Sequence, residues 1–353
     1  MKKLPFKKRK EAQKAAPARI TNETVAEHRE RILAGGRRFK YPMQYARHKL
    51  VFNTVIVTLV TLVLLSVVGW WQLYIVQNSS SFFYRVTRVL PLAVASIDGE
   101  SVRYSSYLLY LNSSAHYLQQ SEQVNLSSED GKRQLDYYKR KNMDNALADA
   151  YATKLAREMN ISVSDQDVEN TVKQQLNTSS GHISQETYDA STLSILGWAP
   201  DEYRQAIKNK LVLKAVAYAI DTTAKTQADT AAELVKAKGA DFTKIAAKLG
   251  GEGTAKVTVG ASGMVPLANS DGGLSAAAAT LKKGESSGVI KTTTGDGYYF
   301  VRLLEKNDTQ ISYQYIRIPL TAFDEKLAAL KKDGKIHEYI SISSVDTQQP
   351  IKK

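Results

Sequence analysis

Along most of this chain apolar residues recur three and four positions apart, the spacing of one face of a helix. One stretch departs from that rhythm: no charged side chain occurs from Val51 to Tyr84. Its first part, 50–76, reads LVFNTVIVTLVTLVLLSVVGWWQLYIV. At about 1.5 Å per residue, a helix of that length crosses a hydrocarbon core of about 30 Å. Trp70, Trp71 and Tyr74 gather at one end, as aromatics do at a membrane–water interface. A cleaved secretory leader has a shorter apolar run nearer the start, whereas here 49 residues precede the span. The pattern predicts an uncleaved, single-pass membrane helix.

After the span, 89–94 reads as a short strand and Asp98-Gly99 as a turn. Helical spacing returns over 102–118, with Tyr104, Tyr107, Leu108 and Leu111 on one face. A second helix starts near Ser127 and runs to about Met159, through Leu135, Met143, Leu147, Tyr151 and Leu155. A third starts at Ser164, its early Asp residues suiting the positive end of the helix dipole. Residues 177–182 read as a flexible break, and Gly197-Trp198-Ala199-Pro200 leads into a helix ending near Ile220. The stretch 100–220 thus reads as almost wholly helical, with no sheet of its own. The pattern then changes. A helix over 226–238 stops at Gly239, and Asp241 caps another that ends at Gly250-Gly251. Short alternating segments follow at 256–259, 288–291 and 297–304, and 311–320 is one more strand-like run. Residues 323–330 look helical, and the end from Ser341 reads as frayed. The expected fold class is α+β, with divisions at 1–49, 50–76, 77–222, 223–306 and 307–353.

Charge orients this plan. Residues 1–49 carry 15 Lys and Arg against four Glu, net +11, which leaves +2 of the chain's +13 for everything beyond. A basic flank beside a span stays in the cytoplasm. The expectation is a cell-membrane protein with its N-terminus inside and its body, 77–353, extracytoplasmic. Attraction to anionic lipid accounts for the basic tail, and nucleic-acid binding is not expected. With no cysteine there are no disulfides or thiol chemistry. The five His, at 28, 48, 116, 182 and 337, form no short-spaced pair, so no metal site and no cofactor are expected.

Several motifs resemble a known family. The segments 97–100 (IDGE), 102–118, 161–165 (ISVSD) and 196–204 (LGWAPDEYR) resemble the helical chaperone domain of SurA/PrsA-type foldases. The segments 238–242 (KGADF), 263–266 (GMVP), 281–285 (LKKGE) and 297–303 (GYYFVRL) resemble a parvulin-type peptidyl-prolyl isomerase domain. The resemblance implies binding of unfolded or nascent exported polypeptides, and it places substrate-binding positions at Met264, Leu274, Tyr299 and Tyr315. It also exposes departures. Tyr299 stands where the family has a His in its last strand. The only run like the family's first strand, 313–319, comes after the domain and has Tyr315 in place of the second His. The family's aromatic pocket positions fall near Ala279 and Leu274, and its acidic or thiol position near Ala255. The implied activity is a membrane-anchored chaperone with weak or lost isomerase activity. An active isomerase with an atypical pocket and a non-enzymatic bitopic envelope scaffold remain open at this point. So does the idea that 311–319 supplies the missing strand.

Overall fold

The computed structural model describes residues 21–40, 42–178, 181–237 and 239–343, and the chain divides into two compact units at 71/72. The first, as far as it is described, consists of helices α1 (Asn22–Lys40) and α2 (Pro42–Trp70). The basic run at 2–10 lies outside the described residues. Among the described residues one helical stretch, His48–Ile75, is long and apolar enough to cross a membrane, and none of its most apolar window is buried. That fits a single-pass anchor. Two of its hydroxyls are satisfied locally: Thr54 donates to the Leu50 carbonyl and Ser66 to the Leu62 carbonyl, both at 2.8 Å. A bilayer interior offers no water to do this instead.

The second unit begins inside the expected span. A π-helical turn, Trp71–Ile75, ends the long helix, and Leu73 within it is buried among Val94, Tyr104 and Leu108. Tyr104 donates its hydroxyl to the Leu73 carbonyl at 2.6 Å, and Tyr74 donates to Ala93 at 2.7 Å. Tyr74 is therefore not the free interfacial aromatic that the sequence suggested; its ring packs edge-on against Tyr104.

Next come α3 (Ser81–Val89), β1 (Ala93–Ile97) and β2 (Glu100–Arg103). The strand expected over 89–94 is displaced. Phe83, Tyr84 and Thr87 lie at helical spacing, so the segment through Val89 coils, and Pro91, which has no N–H to give a ladder, precedes the strand. Asp98 and Gly99 both take positive φ, 48° and 80°, as the two-residue hairpin turn demands. Four long helices follow: α4 (Tyr104–Gln120), α5 (Glu129–Glu158), α6 (Asp165–Gln175) and, after a small hairpin of β3 (Asn177–Thr178) and β4 (Gly181–His182), α7 (Gln185–Leu196). Within the expected break at 177–182, Asn177 pairs with His182 and Thr178 with Gly181 as strands, while residues 179 and 180 lie outside the described residues. α8 (Pro200–Ile220) closes the series. α5 is the hub, packing on α4, α8 and β2.

The rest of the chain supplies α9 (Thr222–Val235), α10 (Phe242–Leu249), β5 (Thr258–Ala261), β6 (Val265–Pro266), α11 (Leu274–Ala279), β7 (Ile290–Lys291), β8 (Gly297–Lys306), β9 (Gln310–Pro319), α12 (Ala322–Lys332) and β10 (Ile336–Glu338). Two sheets organise it. One has the order β5-β9-β8-β7, with β6 also on β9, all antiparallel. The run at 311–319 does complete this sheet, as its central strand. The other sheet, β10-β1-β2, joins the last of the described strands to the start of the helical part, so β2 takes Val102 out of the expected helix and gives 100–220 a share in a sheet. Buried Asp221 ties the two halves together. It caps α9 through Ala224 N–H (2.9 Å) and accepts from the N–H groups of Thr321 (2.8 Å) and Ala322 (3.1 Å) where α12 begins.

Candidate functional site

Side chains of β8 and β9 alternate between two cores. Tyr298, Phe300, Ile316 and Ile318 pack under α9 and α10, while Tyr299, Val301, Leu303, Ile311 and Tyr313 pack under α11 with Leu274. On that second face three tyrosines adjoin: Tyr299 and Tyr315 with ring centres 5.9 Å apart, Tyr315 and Tyr313 at 6.4 Å. Each end of the row is tied to a carboxylate. Asp296 accepts from Tyr299 (2.6 Å), Thr292 (2.8 Å), Thr294 (2.5 Å) and Arg317 (3.2 Å). Burial alone would raise its pKa, but these donors outweigh burial and hold it at about 2. Asp271 accepts from Tyr313 (2.6 Å), Asn269 (3.0 Å) and both the N–H and hydroxyl of Ser275. Its pKa is also lowered, against burial, by those bonds.

The sequence-derived positions separate. Leu274 (6% exposed) and Tyr299 (7%) are core, Tyr315 is half-buried beside them, and Met264 stands apart at 41%. Ala279 also borders this core, whereas Ala255 lies in a 3-10 turn outside it. The sheet face is therefore filled by side chains bonded to one another.

A larger opening lies elsewhere. A cleft of about 560 Å³ runs between α4, α5, α7, α8 and the loop before β8, with Tyr110, Asp149, Tyr188, Trp198, Tyr203 and Gly295 among its walls. Local chemistry sets each wall. Gly197 ends α7 at φ 68°, where an added Cβ would come 2.9 Å from the His116 ring. Pro200 then opens α8, with Glu202 accepting from Ala199 N–H at 2.8 Å. This turn presents Trp198, whose indole donates to the Leu109 carbonyl (3.0 Å) and whose ring lies 6.4 Å from Tyr110. At the floor, Asp149 accepts from the Tyr110 hydroxyl and from Asn209 (2.9 Å). Burial dominates here and pushes the Asp149 carboxyl up to about 6 despite both bonds.

Two family models match. One, the SurA-like N-terminal domain, covers residues 43–217. The other, the PPIC-type PPIase domain, covers 199–313. The chain carries a SurA-like N-terminal domain followed by a PPIC-type PPIase domain, the arrangement of SurA/PrsA-type foldases. Comparison with curated proteins and with solved structures gave no match. The PPIase match starts at Ala199, just ahead of α8, and ends inside β9, so the central strand of the sheet runs past it. Reading the sequence singled out Tyr299 and Tyr315 but missed Asp271, Asp296 and Arg317, which meet this face only through loop and strand register. It also missed the Tyr110–Asp149–Asn209 group. The helical spacing of α4, α5 and α8 held those residues, but no local motif joins them.

Proposed function

We propose that this protein acts as a membrane-anchored, extracytoplasmic holdase for unfolded exported polypeptides, with isomerase activity weak or lost. The observation that carries this reading is the filled sheet face: Tyr299, Tyr313 and Tyr315 occupy it, and their hydroxyls or neighbours are committed to Asp296 and Asp271. Prolyl isomerisation faces an amide barrier of about 18–20 kcal/mol. Lowering it takes a pocket that grips the ring and favours the twisted amide. A tyrosine held by an aspartate offers neither the room nor imidazole's two-sided hydrogen bonding. The aromatic cleft supports the holding role, since Tyr and Trp bind apolar side chains while keeping a polar tip satisfied. The basic tail supports an inward N-terminus and contact with anionic lipid.

The full-length protein in detergent micelles tests both parts. It is expected to suppress aggregation of a denatured model protein and to leave the cis–trans rate of a proline tetrapeptide near the uncatalysed value. Catalysis at the rate of an intact parvulin, or no effect on aggregation, refutes the corresponding half.

A further inference from the structure

The mouth of the aromatic cleft carries an uncompensated positive charge. Lys210 and Lys214 of α8 line it, and Lys291 of β7 is close enough to Lys214 to repel it. Lys291 lies over two rings, its Nζ 5.3 Å from the centre of Tyr218 and 5.8 Å from that of Tyr298. Among the described residues none of these three lysines forms an ion pair. The nearby carboxylates are engaged elsewhere: Asp149 with Tyr110 and Asn209, Asp296 with Tyr299 and Arg317. Lys214 is half-buried, and the loop at Gly295 packs on its stem, so that a Cβ at Gly295 would lie 3.0 Å from Lys214 Cγ. Burial first, then Lys210 and Lys291, pull the Lys214 pKa down. A restrained cation beside two others, with no carboxylate ion-paired to it among the described residues, is a site that an incoming anion stabilises.

We propose that this lysine cluster is an anion subsite that takes the carboxylate of an Asp or Glu in a bound extended polypeptide, while an apolar or aromatic neighbour on the same segment enters the cleft. This rests on the client-binding reading and adds a preference to it: acidic–aromatic segments over neutral or basic ones. The charge complementarity selects an acidic polypeptide, and the adjoining Trp198 and Tyr110 select an apolar side chain next to the acid.

The test uses full-length protein in micelles and two fluorescein-labelled peptides. Both carry the same Phe residues, flanked by Asp and Glu in one and by Asn and Gln in the other. Anisotropy titration at about 0.05 M salt is expected to show the acidic peptide binding about ten-fold tighter, with the difference shrinking at about 0.5 M salt. Lys214→Glu is expected to abolish the preference and to favour a third peptide with Lys in the acidic positions, whereas Lys326→Gln on exposed α12, which removes one charge elsewhere, leaves it intact. Circular dichroism confirms that each variant is folded. Equal affinities for the acidic and amide peptides, or a Lys214→Glu protein that keeps the preference, overturn the subsite alone. Failure of every peptide to bind overturns the subsite and the client-binding reading together.

Discussion

Gly260 of β5 shows how much one missing side chain sets. It pairs with Tyr315 across the sheet, and a Cβ there would lie 2.4 Å from the tyrosine's Cζ and hydroxyl. Gly260→Ala is therefore expected to displace Tyr315 from the row it forms with Tyr299 and Tyr313, costing about 1–3 kcal/mol. A fall in the thermal midpoint checks this; an unchanged midpoint means that Tyr315 is free to move. The same residues mark the limit of reading a sequence. Tyr299 and Tyr315 stood out through the resemblance, which implies a histidine at each place. Asp296 did not stand out, because an Asp between Gly295 and Gly297 looks like ordinary turn chemistry. Its role depends on Arg317 arriving from the neighbouring strand.

Elements with local signals were legible, and those that depend on distant partners were not. The capping pair Ser164 and Asp167, the Asp98-Gly99 turn and the Gly197–Pro200 junction all appear as their residue types dictate. Helix α3 and strand β10 were missed. The first borders an apolar run that reads as strand, and the second is three residues long with meaning only beside β1. Asp221 lies between these cases. A helix start at 222 needs a cap, and Asp221 provides it, but its second task at α12 lies 100 residues away. Asp221→Ala leaves three N–H groups without their acceptor and is expected to cost about 2–3 kcal/mol. Because it serves both halves, hydrogen exchange should rise at the starts of α9 and α12 together. Exchange rising at α9 alone counts against the shared cap.

For the whole molecule, two partly buried carboxylates pull stability in opposite directions with pH. Asp149, with its folded pKa raised to about 6, holds a proton that the unfolded chain has released. Its contribution therefore falls as pH rises from about 4 to about 6 and is flat above. Asp296, held at about 2, contributes fully above about pH 4 and loses that contribution as pH falls towards 2, by about 1 kcal/mol once solvent screening is allowed for. Asp149→Asn is expected to remove the slope between pH 4 and 6 in thermal unfolding while leaving the acid limb. An unaltered slope assigns it to another group. The pairing of β1 with β10 has a consequence in time. Ile97 faces Ile336, 239 positions later. A chain delivered from its N-terminal end exposes the open edge of β1 until β10 emerges, so closure of the body is a slow, late event governed by a long loop. A nascent chain stalled before residue 336 carries an unpaired sheet edge, the kind of surface on which other strands aggregate.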